Sequence, residues 1–590
     1  MQPITRFGWL GAAAMATALT LSGCGSSGSD PQSRTTQYGD VEGVNDSAAS
    51  GTYFWKGLPY AKPPVGALRW KAPVAPASWS STLQAKAFGA SCIQNPRLYS
   101  PGNSNTFDAS VGDNLISGNT PGSEDCLSLN IWRPATDEKN LPVIVFIHGG
   151  SNITGYSADP MYDGAALAKK ANAVVVSANY RLGQLGFFRH PALRDKTVDP
   201  TLTADDQSGN YAVLDIVQAL KFVQGNIGEF GGDKANVTLT GQSAGAINIL
   251  AVMTAPGNRA AGLFHKIAPL SGGISVATSP GFPQPPNNLA GNNGYIPALN
   301  PVATYEALSN MLLLKLLIDD GSAADAASAT AWVQSHSAAD IAAYLRGKPA
   351  SKILQVGVKT VGGMGNTTGS GPIPEGTVVA SDPIAAIVAG NYVKVPVLSG
   401  LTHSESKLLS SYLPLVSRPF GIKLPDAQLF PILFDATKAK SAAFGDIINP
   451  AYANGAAYDS AIADLDAKFF IALRDNYMNA LMAQTPTQIW SYRFDWKQEA
   501  APWNDVYGAA HAFDLPFLFG NFGPSLYANV IGGTANQGGR LALSDAMMST
   551  LSAFARSGNP NNASLGVNWP NWPSVLLFDA TASAKQISVQ

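Results

Sequence analysis

Residues 241–245, Gly-Gln-Ser-Ala-Gly, place a serine between two glycines in a setting that suits nucleophilic chemistry. The β-branched run at 237–240 predicts a buried strand before them, and the apolar run at 246–253 predicts a helix after them. The glycines permit a turn too tight for a Cβ, which exposes the Ser243 hydroxyl at the carboxyl end of the strand. The unpaired N–H groups at the start of the helix would stabilise an oxyanion there. We therefore predict that Ser243 is a nucleophile.

A serine nucleophile of this kind needs an acid and a base, which follow it along the chain in that order. The run at 395–399 predicts another buried strand, and Glu405 lies in the turn after it. The run at 489–494 predicts the next strand, and His511 lies in the loop after it. His511 is the only one of the six histidines beyond Glu405, so the order selects it as the base. His403 precedes the acid, and we expect it to form a local hydrogen bond instead.

Several ordered motifs along residues 38–590 carry a resemblance to a known family. The chain resembles the type-B carboxylesterases, which are relatives of the cholinesterases and bile-salt lipases on the α/β-hydrolase fold. The matching stretches are residues 56–64, 124–131, 179–181, 226–227, 230–245 and 554–561. Ser128 stands within the second of these, where an aromatic residue or Thr is usual. The resemblance implies an α/β fold, with a mostly parallel central sheet flanked by helices and with helical and loop insertions around the active site.

The resemblance also assigns roles to individual residues. Ser243 matches the family's acyl-forming nucleophile, Glu405 its acid and His511 its base. Ser406 replaces the glycine that usually follows the acid, which makes the local turn harder to predict. By the same resemblance, the oxyanion hole consists of the backbone N–H groups of Gly150, Ser151 and Ala244. Most members have a third glycine at position 151, and the Cβ of Ser151 is expected to narrow the acyl side of the pocket.

These roles predict a serine carboxylic-ester hydrolase that works through an acyl-enzyme. His511 takes the Ser243 proton while Glu405 fixes the imidazole tautomer, so activity should rise with pH as the base loses its own proton. Two alternatives remain open at this stage. The same triad serves lipases and polyester, carbamate or amide hydrolases, and some relatives of this fold are non-catalytic binding proteins. The retained triad argues against the second alternative.

Composition fits a single large α/β domain at residues 38–590. The chain has 590 residues, and its hydrophobic content of 46% supports a sizeable core. Charged residues make up 13% and the net charge is −2, so no basic surface for nucleic acid is expected. The sequence contains no zinc-protease, paired-cysteine or Walker motif, and we expect neither a metal nor a cofactor. It gives no indication of oligomeric state, and the expected partner is a small-molecule ester.

The amino terminus resembles an export signal. Arg6 precedes an apolar run from about residue 7 to 21, which is too short for a mature membrane span. The run ends in Leu-Ser-Gly-Cys at residues 21–24, which resembles the lipobox of bacterial lipoproteins. We expect a signal peptide at 1–23, lipidation of Cys24, and a flexible tether at 24–37. The protein would then be a membrane-anchored lipoprotein, in the outer membrane by analogy, with periplasmic and secreted forms as alternatives.

The chain has three cysteines, Cys24, Cys92 and Cys126. If Cys24 carries lipid, the other two are either a disulfide in an oxidising compartment or two free thiols. The family resemblance pairs Cys92 with Cys126. Cholinesterase members hold a quaternary ammonium with a tryptophan in this loop. Here the aromatic residues of segment 93–125 are Tyr99 and Phe107, and there is no tryptophan, so a choline ester is not expected.

An insertion at 275–345 separates the nucleophile from the acid. Its start reads as a long surface loop, and residues 304–317 predict an amphipathic helix. Such a helix serves either as a lid over the site or as a packed part of the scaffold.

Overall fold

A computed structural model describes residues 31–282, 298–409, 421–484 and 488–590. The predicted signal peptide at 1–23 and the predicted lipidation site Cys24 lie outside the described residues, as does the middle of the predicted surface loop at 283–297. The described residues form an extended β-sheet and helices that cover it.

The strands of the described residues form two sheets. They are β1 (Ser33–Thr36), β2 (Gly39–Glu42), β3 (Val44–Asp46), β4 (Thr52–Pro59), β5 (Leu83–Gln84), β6 (Ser128–Pro134), β7 (Leu141–Ile147), β8 (Val174–Ala178), β9 (Gly232–Gln242), β10 (Lys266–Leu270), β11 (Val397–Thr402), β12 (Ile489–Phe494), β13 (Val575–Ala580) and β14 (Lys585–Val589).

The larger sheet has the strand order β14-β13-β12-β11-β10-β9-β7-β8-β6-β4-β3. Seven adjacent strands, β8, β7, β9, β10, β11, β12 and β13, run parallel to one another. At one edge β6, β4 and β3 pair antiparallel, as does β14 at the other edge. The parallel strands are apolar and buried along most of their lengths, as expected for a sheet covered on both faces. The predicted mostly parallel α/β architecture is therefore confirmed.

The helices fill the connections between strands. They are α1 (Ser110–Ser117), α2 (Ala165–Ala171), α3 (Gly183–Gly186), α4 (Ala204–Ser208), α5 (Tyr211–Asn226), α6 (Ala244–Met253), α7 (Val302–Asp319), α8 (Ala326–Ser335), α9 (Ala338–Gly347), α10 (Ala350–Val358), α11 (Pro383–Val388), α12 (Ser406–Leu409), α13 (Asp426–Phe434), α14 (Ala436–Ser441), α15 (Phe444–Ile447), α16 (Gly455–Asp466), α17 (Ala472–Met482), α18 (Trp503–Val506), α19 (Leu515–Phe519), α20 (Ala528–Ile531) and α21 (Gln537–Ser557).

The sheet separates two hydrophobic clusters, because successive side chains of a strand point to opposite faces. In β7, Val143 and Val145 belong to the cluster under α5, whereas Ile144 and Phe146 belong to the cluster under α21. Because hydrophobic clusters cover both faces of the sheet, the adjacent central strands β7 and β9 are held firmly in place. The residues that follow these strands are thereby held on a rigid support.

The described part of the predicted tether is not a tether. Residues Ser33–Thr36 form β1, which pairs antiparallel with β2 in a separate three-stranded sheet. The Trp55 indole also donates a hydrogen bond to the carbonyl of Gln32 at 2.8 Å. The boundary at residue 38 was therefore wrong, and the folded domain includes residues from at least 32. The polar sequence of β1 gave no strand signal because its partners, and not its own composition, hold it.

The predicted helix at 304–317 is present as α7. It packs with α8, α9 and α10 in a third hydrophobic cluster that also includes Trp70 and Phe188. Lys315, buried on α7, donates hydrogen bonds to the carbonyls of Gly357 and Gly365. The described part of the insertion is thus a packed helical layer. Among the residues that the structure describes, no helix combines the length and the apolar character needed to cross a membrane.

Candidate active site

Ser243 occupies the sharp turn between the end of β9 and the start of α6. Its backbone angles are φ 58° and ψ −123°, a conformation that residues other than glycine rarely adopt. Its N–H donates to the carbonyl of Leu270, the last residue of β10, at 2.8 Å. The neighbouring strand therefore helps to hold the strained turn, and the serine lies at the carboxyl edge of the sheet as predicted.

Two glycines make this turn sterically possible. A Cβ on Gly245 would lie 2.2 Å from the carbonyl oxygen of Ile147, at the end of β7. A Cβ on Gly241 would lie 2.7 Å from the backbone carbon of Gly245. The start of α6 therefore approaches the sheet more closely than any other residue type allows.

Glu405 and His511 lie together on the same edge of the sheet. Oε2 of Glu405 lies 2.5 Å from Nδ1 of His511, and Oε1 accepts a hydrogen bond from the backbone N–H of Thr402 at 2.7 Å. Both side chains are almost fully buried. Because each carboxylate oxygen has its own donor, Glu405 is fixed in orientation and in turn fixes the imidazole ring.

The two loops that carry this pair are joined by backbone contacts. The N–H of Ser404 donates to the carbonyl of Ala509 at 2.9 Å, beside the turn that carries His511. Nδ1 of His403 lies 3.2 Å from the Ser404 hydroxyl, and His403 is exposed. The predicted local hydrogen bond of His403 is confirmed.

Nε2 of His511 faces the turn that carries Ser243. It lies 3.0 Å from the side-chain nitrogen of Gln242, the residue directly before Ser243, and both Ser243 and His511 line one cavity. With a proton on Nδ1 shared with Glu405, Nε2 of the neutral ring is an acceptor. The buried ring of Phe470 packs against the imidazole at a centroid distance of 5.2 Å.

Of the three predicted oxyanion donors, Gly150 and Ser151 line the same cavity as Ser243, and Ala244 follows Ser243 directly in the chain. Gly150, with φ 100, and Ser151, with φ 55, form the turn after β7, and Ala244 is the first residue of α6. None of their backbone N–H groups donates to an acceptor in the described part of the chain. A Cβ on Gly150 would lie 2.2 Å from the Thr154 carbonyl oxygen, so this turn also depends on glycine. Ser151 fits because its side chain is exposed at the cavity wall.

A second layer of buried carboxyl groups lies behind Glu405. Asp466 accepts a hydrogen bond from the N–H of Ser406 at 2.7 Å, and Asp514 accepts one from the Tyr492 hydroxyl at 2.8 Å. Burial raises the pKa of Asp466 to about 8 and the pKa of Asp514 to about 6, and the nearby Glu405 carboxylate contributes to both rises. At neutral pH Asp466 is therefore mainly protonated, which avoids a second charge beside Glu405.

The cavity at Ser243 is mainly apolar. The residues lining it are Tyr99, Gly149, Gly150, Ser151, Ile153, Thr154, Gly155, Asp159, Met161, Tyr162, Gln242, Ser243, Leu408, His511, Ala512 and Leu515. Such a site suits a small organic substrate held by apolar contacts and a few polar groups.

The loop at 93–125 contributes Tyr99 to the cavity wall. A disulfide between Cys92 and Cys126 closes it, so the pairing implied by the resemblance is present in the structure. The Arg69–Glu124 ion pair fixes the end of the loop, with both side chains largely buried. Ser128, the departure from the second motif, is buried at the start of β6.

Three side chains at the site carry no signal in the sequence. Asp466 ends a helix far from any motif, Phe470 lies in the π-helix Ala467–Ile471 that follows, and Asp159 precedes a short turn. Asp466 lies beside the turn of Glu405, Phe470 lies against His511, and Asp159 lines the cavity, and these positions follow from the tertiary fold alone. Gln242, by contrast, lies within the serine motif and its proximity to the site was predictable.

Comparisons with known proteins agree with this geometry. The sequence model described as "Carboxylesterase family" matches residues 30–586. A para-nitrobenzyl esterase of Bacillus subtilis (strain 168) is 31% identical over 560 residues, which cover 91% of each protein. A fumonisin B1 esterase of Sphingopyxis macrogoltabida is 31% identical over 545 residues, covering 91% of this chain and 84% of that protein.

Solved structures show the same relationship. A carboxylesterase from Geobacillus stearothermophilus superimposes with a TM-score of 0.65 at 27% identity, over 95% of this chain and 98% of that one. A PNB esterase gives a TM-score of 0.64 at 27% identity, with 95% and 97% of the two chains covered. The chain therefore belongs to the carboxylesterase family and is a carboxylic ester hydrolase with the α/β-hydrolase fold.

Proposed function

We propose that this enzyme cleaves carboxylic esters through an acyl-enzyme on Ser243, with His511 as the base and Glu405 as the acid that orients it. The observation that carries this proposal is the 2.5 Å contact between His511 and Glu405, at a cavity that Ser243 also lines. The strained turn at Ser243 supports the nucleophile role, because such strain persists where surrounding structure enforces it.

The reaction then proceeds in two halves. Nε2 of His511 accepts the hydroxyl proton as Oγ of Ser243 attacks the ester carbonyl carbon, and the imidazolium is stabilised by Glu405. The same proton passes to the departing alcohol, which leaves the acyl group on Ser243. Water attacks the acyl carbonyl in the second half, with His511 again taking and returning one proton. The carboxylic acid leaves and the serine is restored.

The oxyanion of each tetrahedral intermediate would be bound by the backbone N–H groups of Gly150, Ser151 and Ala244. Each such donor is worth about 3–4 kcal/mol of activation free energy in other acyl-transfer enzymes. In Gly150 and Ser151 the positive φ values belong to a turn that is set before substrate binds. The donors are thus preorganised, and little reorganisation is needed during the reaction.

The test is hydrolysis of p-nitrophenyl esters of increasing acyl length by the full chain purified in mild detergent. We expect turnover that Ser243→Ala abolishes, and covalent labelling by a fluorophosphonate at Ser243 alone. Ser322→Ala, which changes an exposed serine, is the matched control and should retain both properties. Labelling at another serine, or equal turnover in Ser243→Ala, would contradict the proposal. The relatives above are all named as esterases, which favours esters over amides.

We also propose that residues 1–23 direct export and that Cys24 carries a lipid that anchors the enzyme to a bacterial membrane. The lipobox-like residues 21–24 support this assignment. So does the disulfide, because it pairs Cys92 with Cys126 and leaves Cys24 as the remaining cysteine of the three. The outer membrane is the proposed location.

Intact mass and cell fractionation test this anchor. Expression in a bacterium should give a membrane-associated protein that begins at an acylated Cys24. Cys24→Ala should release an active enzyme from the membrane fraction or stop processing. An unmodified Cys24 in a processed protein would instead indicate an ordinary signal peptide with a periplasmic or secreted product.

A further inference from the structure

Asp159 presents an unused carboxylate oxygen at the wall of the catalytic cavity. The residue lies just before the short helical turn Pro160–Tyr162, is 7% exposed, and lines the same cavity as Ser243 and His511. Oδ1 accepts a hydrogen bond from the N–H of Met161 at 2.9 Å. Oδ2 has no hydrogen-bond partner among the described residues.

Capping the turn does not explain an aspartate at this position. A cap needs a single acceptor, which serine or asparagine provides without burying a carboxyl group. Burial raises the pKa of Asp159 to about 7, and only the Met161 N–H opposes this rise. The chain therefore bears the cost of a buried acid that its own contacts do not compensate.

The cavity that Asp159 lines is also lined by two tyrosines. Tyr99 and Tyr162 line the same cavity as Asp159, and the Tyr162 hydroxyl donates a hydrogen bond to the carbonyl of Tyr156 at 2.8 Å. No lysine or arginine lines the cavity in the part of the chain that the structure describes. A carboxylate and tyrosine rings without a positive side chain form a complementary site for a protonated amine.

We propose that Asp159 is a specificity-determining residue that binds a protonated amine of the ester substrate through Oδ2. An amine fits better than a hydroxyl group, because a positive charge offsets the burial of the carboxylate whereas a neutral donor does not. This inference rests on the proposed function, since it assigns the substrate class of the same site. It requires an N–H donor and so differs from recognition of a quaternary ammonium by aromatic rings.

Two esters of nearly the same shape test the inference. Dimethylaminoethyl acetate carries a protonated nitrogen where isoamyl acetate has a CH group, and both release acetate that a pH-stat records. At about pH 7.5 we expect kcat/KM of the wild-type enzyme to favour the amine ester by about tenfold or more. In Asp159→Asn, which keeps an acceptor for the Met161 N–H, this preference should fall to about threefold or less.

Asp163→Asn is the matched control. Asp163 also accepts a hydrogen bond from a backbone N–H at the start of a helix, that of Ala165, but it lies outside the cavity lining and pairs with Lys56. This variant should keep the wild-type preference. A wild-type enzyme without preference for the amine ester, or an Asp159→Asn enzyme that loses both esters equally, would overturn the inference. A preference for hydroxyethyl acetate over propyl acetate that exceeds the amine preference would overturn it as well.

Binding to an inactive enzyme separates the two proposals. Calorimetry with Ser243→Ala should show tighter binding of dimethylaminoethyl acetate than of isoamyl acetate, and Asp159→Asn in that background should remove the difference. If the wild-type enzyme hydrolysed no ester while this difference persisted, the proposed function would fail and the amine site would stand. If esters were hydrolysed without any such difference, the amine site alone would fail.

Discussion

The carboxyl group of Asp466 accepts a hydrogen bond at 2.7 Å from the backbone N–H of Ser406, the residue that follows Glu405 in the chain. Asp466 thereby holds the turn that carries Glu405, although it does not touch the cavity. Ser406, the position at which the family resemblance led us to expect glycine, lies fully buried. A buried acceptor therefore defines the geometry of the turn.

Replacing Asp466 should separate its hydrogen-bonding role from its charge. Asp466→Ala leaves the Ser406 N–H unpaired, which should cost about 1–3 kcal/mol of unfolding free energy and lower kcat. Asp466→Asn keeps an oxygen acceptor and resembles the protonated acid, so this variant should retain most of the free energy of unfolding and most of kcat. Urea unfolding and ester kinetics measure the two effects. Equal damage in both variants would show that the ionised carboxylate is required.

Gly245→Ala should disrupt the nucleophile turn. Alanine usually stabilises a helix relative to glycine by about 1 kcal/mol. Here its Cβ would lie 2.2 Å from the Ile147 carbonyl oxygen, so α6 must shift away from β7. We expect a loss of about 1–3 kcal/mol of unfolding free energy and a large fall in kcat.

Gly228→Ala provides the comparison for this variant. A Cβ at Gly228 would meet nothing within 4 Å, so its effect should be small. If both variants behaved alike, steric contact at Gly245 would not be the reason for its glycine.

The buried carboxyl group of Glu499 should make the folded protein less stable as pH rises. Neither carboxyl oxygen accepts a hydrogen bond from another described residue, and burial raises the pKa of Glu499 to about 8. The unfolded chain loses this proton near its ordinary value of 4.5, whereas the folded chain retains it up to about 8. Between these values the unfolded state binds fewer protons, so the free energy of unfolding falls as pH rises. The slope from this group approaches about 1.4 kcal/mol per pH unit.

Glu499→Gln should remove that part of the slope. Denaturant unfolding at several pH values from 5 to 8 measures it, with Glu229→Gln, an exposed carboxyl, as the control. An unchanged slope in Glu499→Gln would mean that Glu499 ionises as readily in the folded enzyme as in the unfolded chain.

Removing the disulfide should lower stability without removing the catalytic residues. The bond between Cys92 and Cys126 joins positions separated by 34 residues. The double variant Cys92→Ser, Cys126→Ser should lose about 3–4 kcal/mol of unfolding free energy through the gain in unfolded-chain entropy. Because the loop carries Tyr99, KM should also rise. A loss well below this range, with KM unchanged, would show that the Arg69–Glu124 ion pair and packing hold the loop unaided.

The candidate site was predictable where chemistry depends on local sequence. The serine turn requires glycines and an adjoining strand and helix, all of which lie within residues 237–253. The roles of Glu405 and His511 were predicted from their order along the chain and from their positions after predicted strands. The strand β1 was not predictable, because its polar residues are held by pairing with β2, and the residue before it, Gln32, is held by Trp55. Asp159 and Asp466 were not predictable either, since burial of an acid is decided by distant parts of the chain.

The strand order has a consequence for how the active site comes into being. The proposed nucleophile, acid and base follow β9, β11 and β12, and β10 lies between the first two of these strands. Parallel neighbours of this kind are joined by contacts between distant parts of the chain, which form slowly. No partial chain that ends before residue 511 contains the base, whichever strands it has paired. Recovery of esterase activity during refolding should therefore report the pairing of the strands from β9 to β12, and not the early formation of the helices.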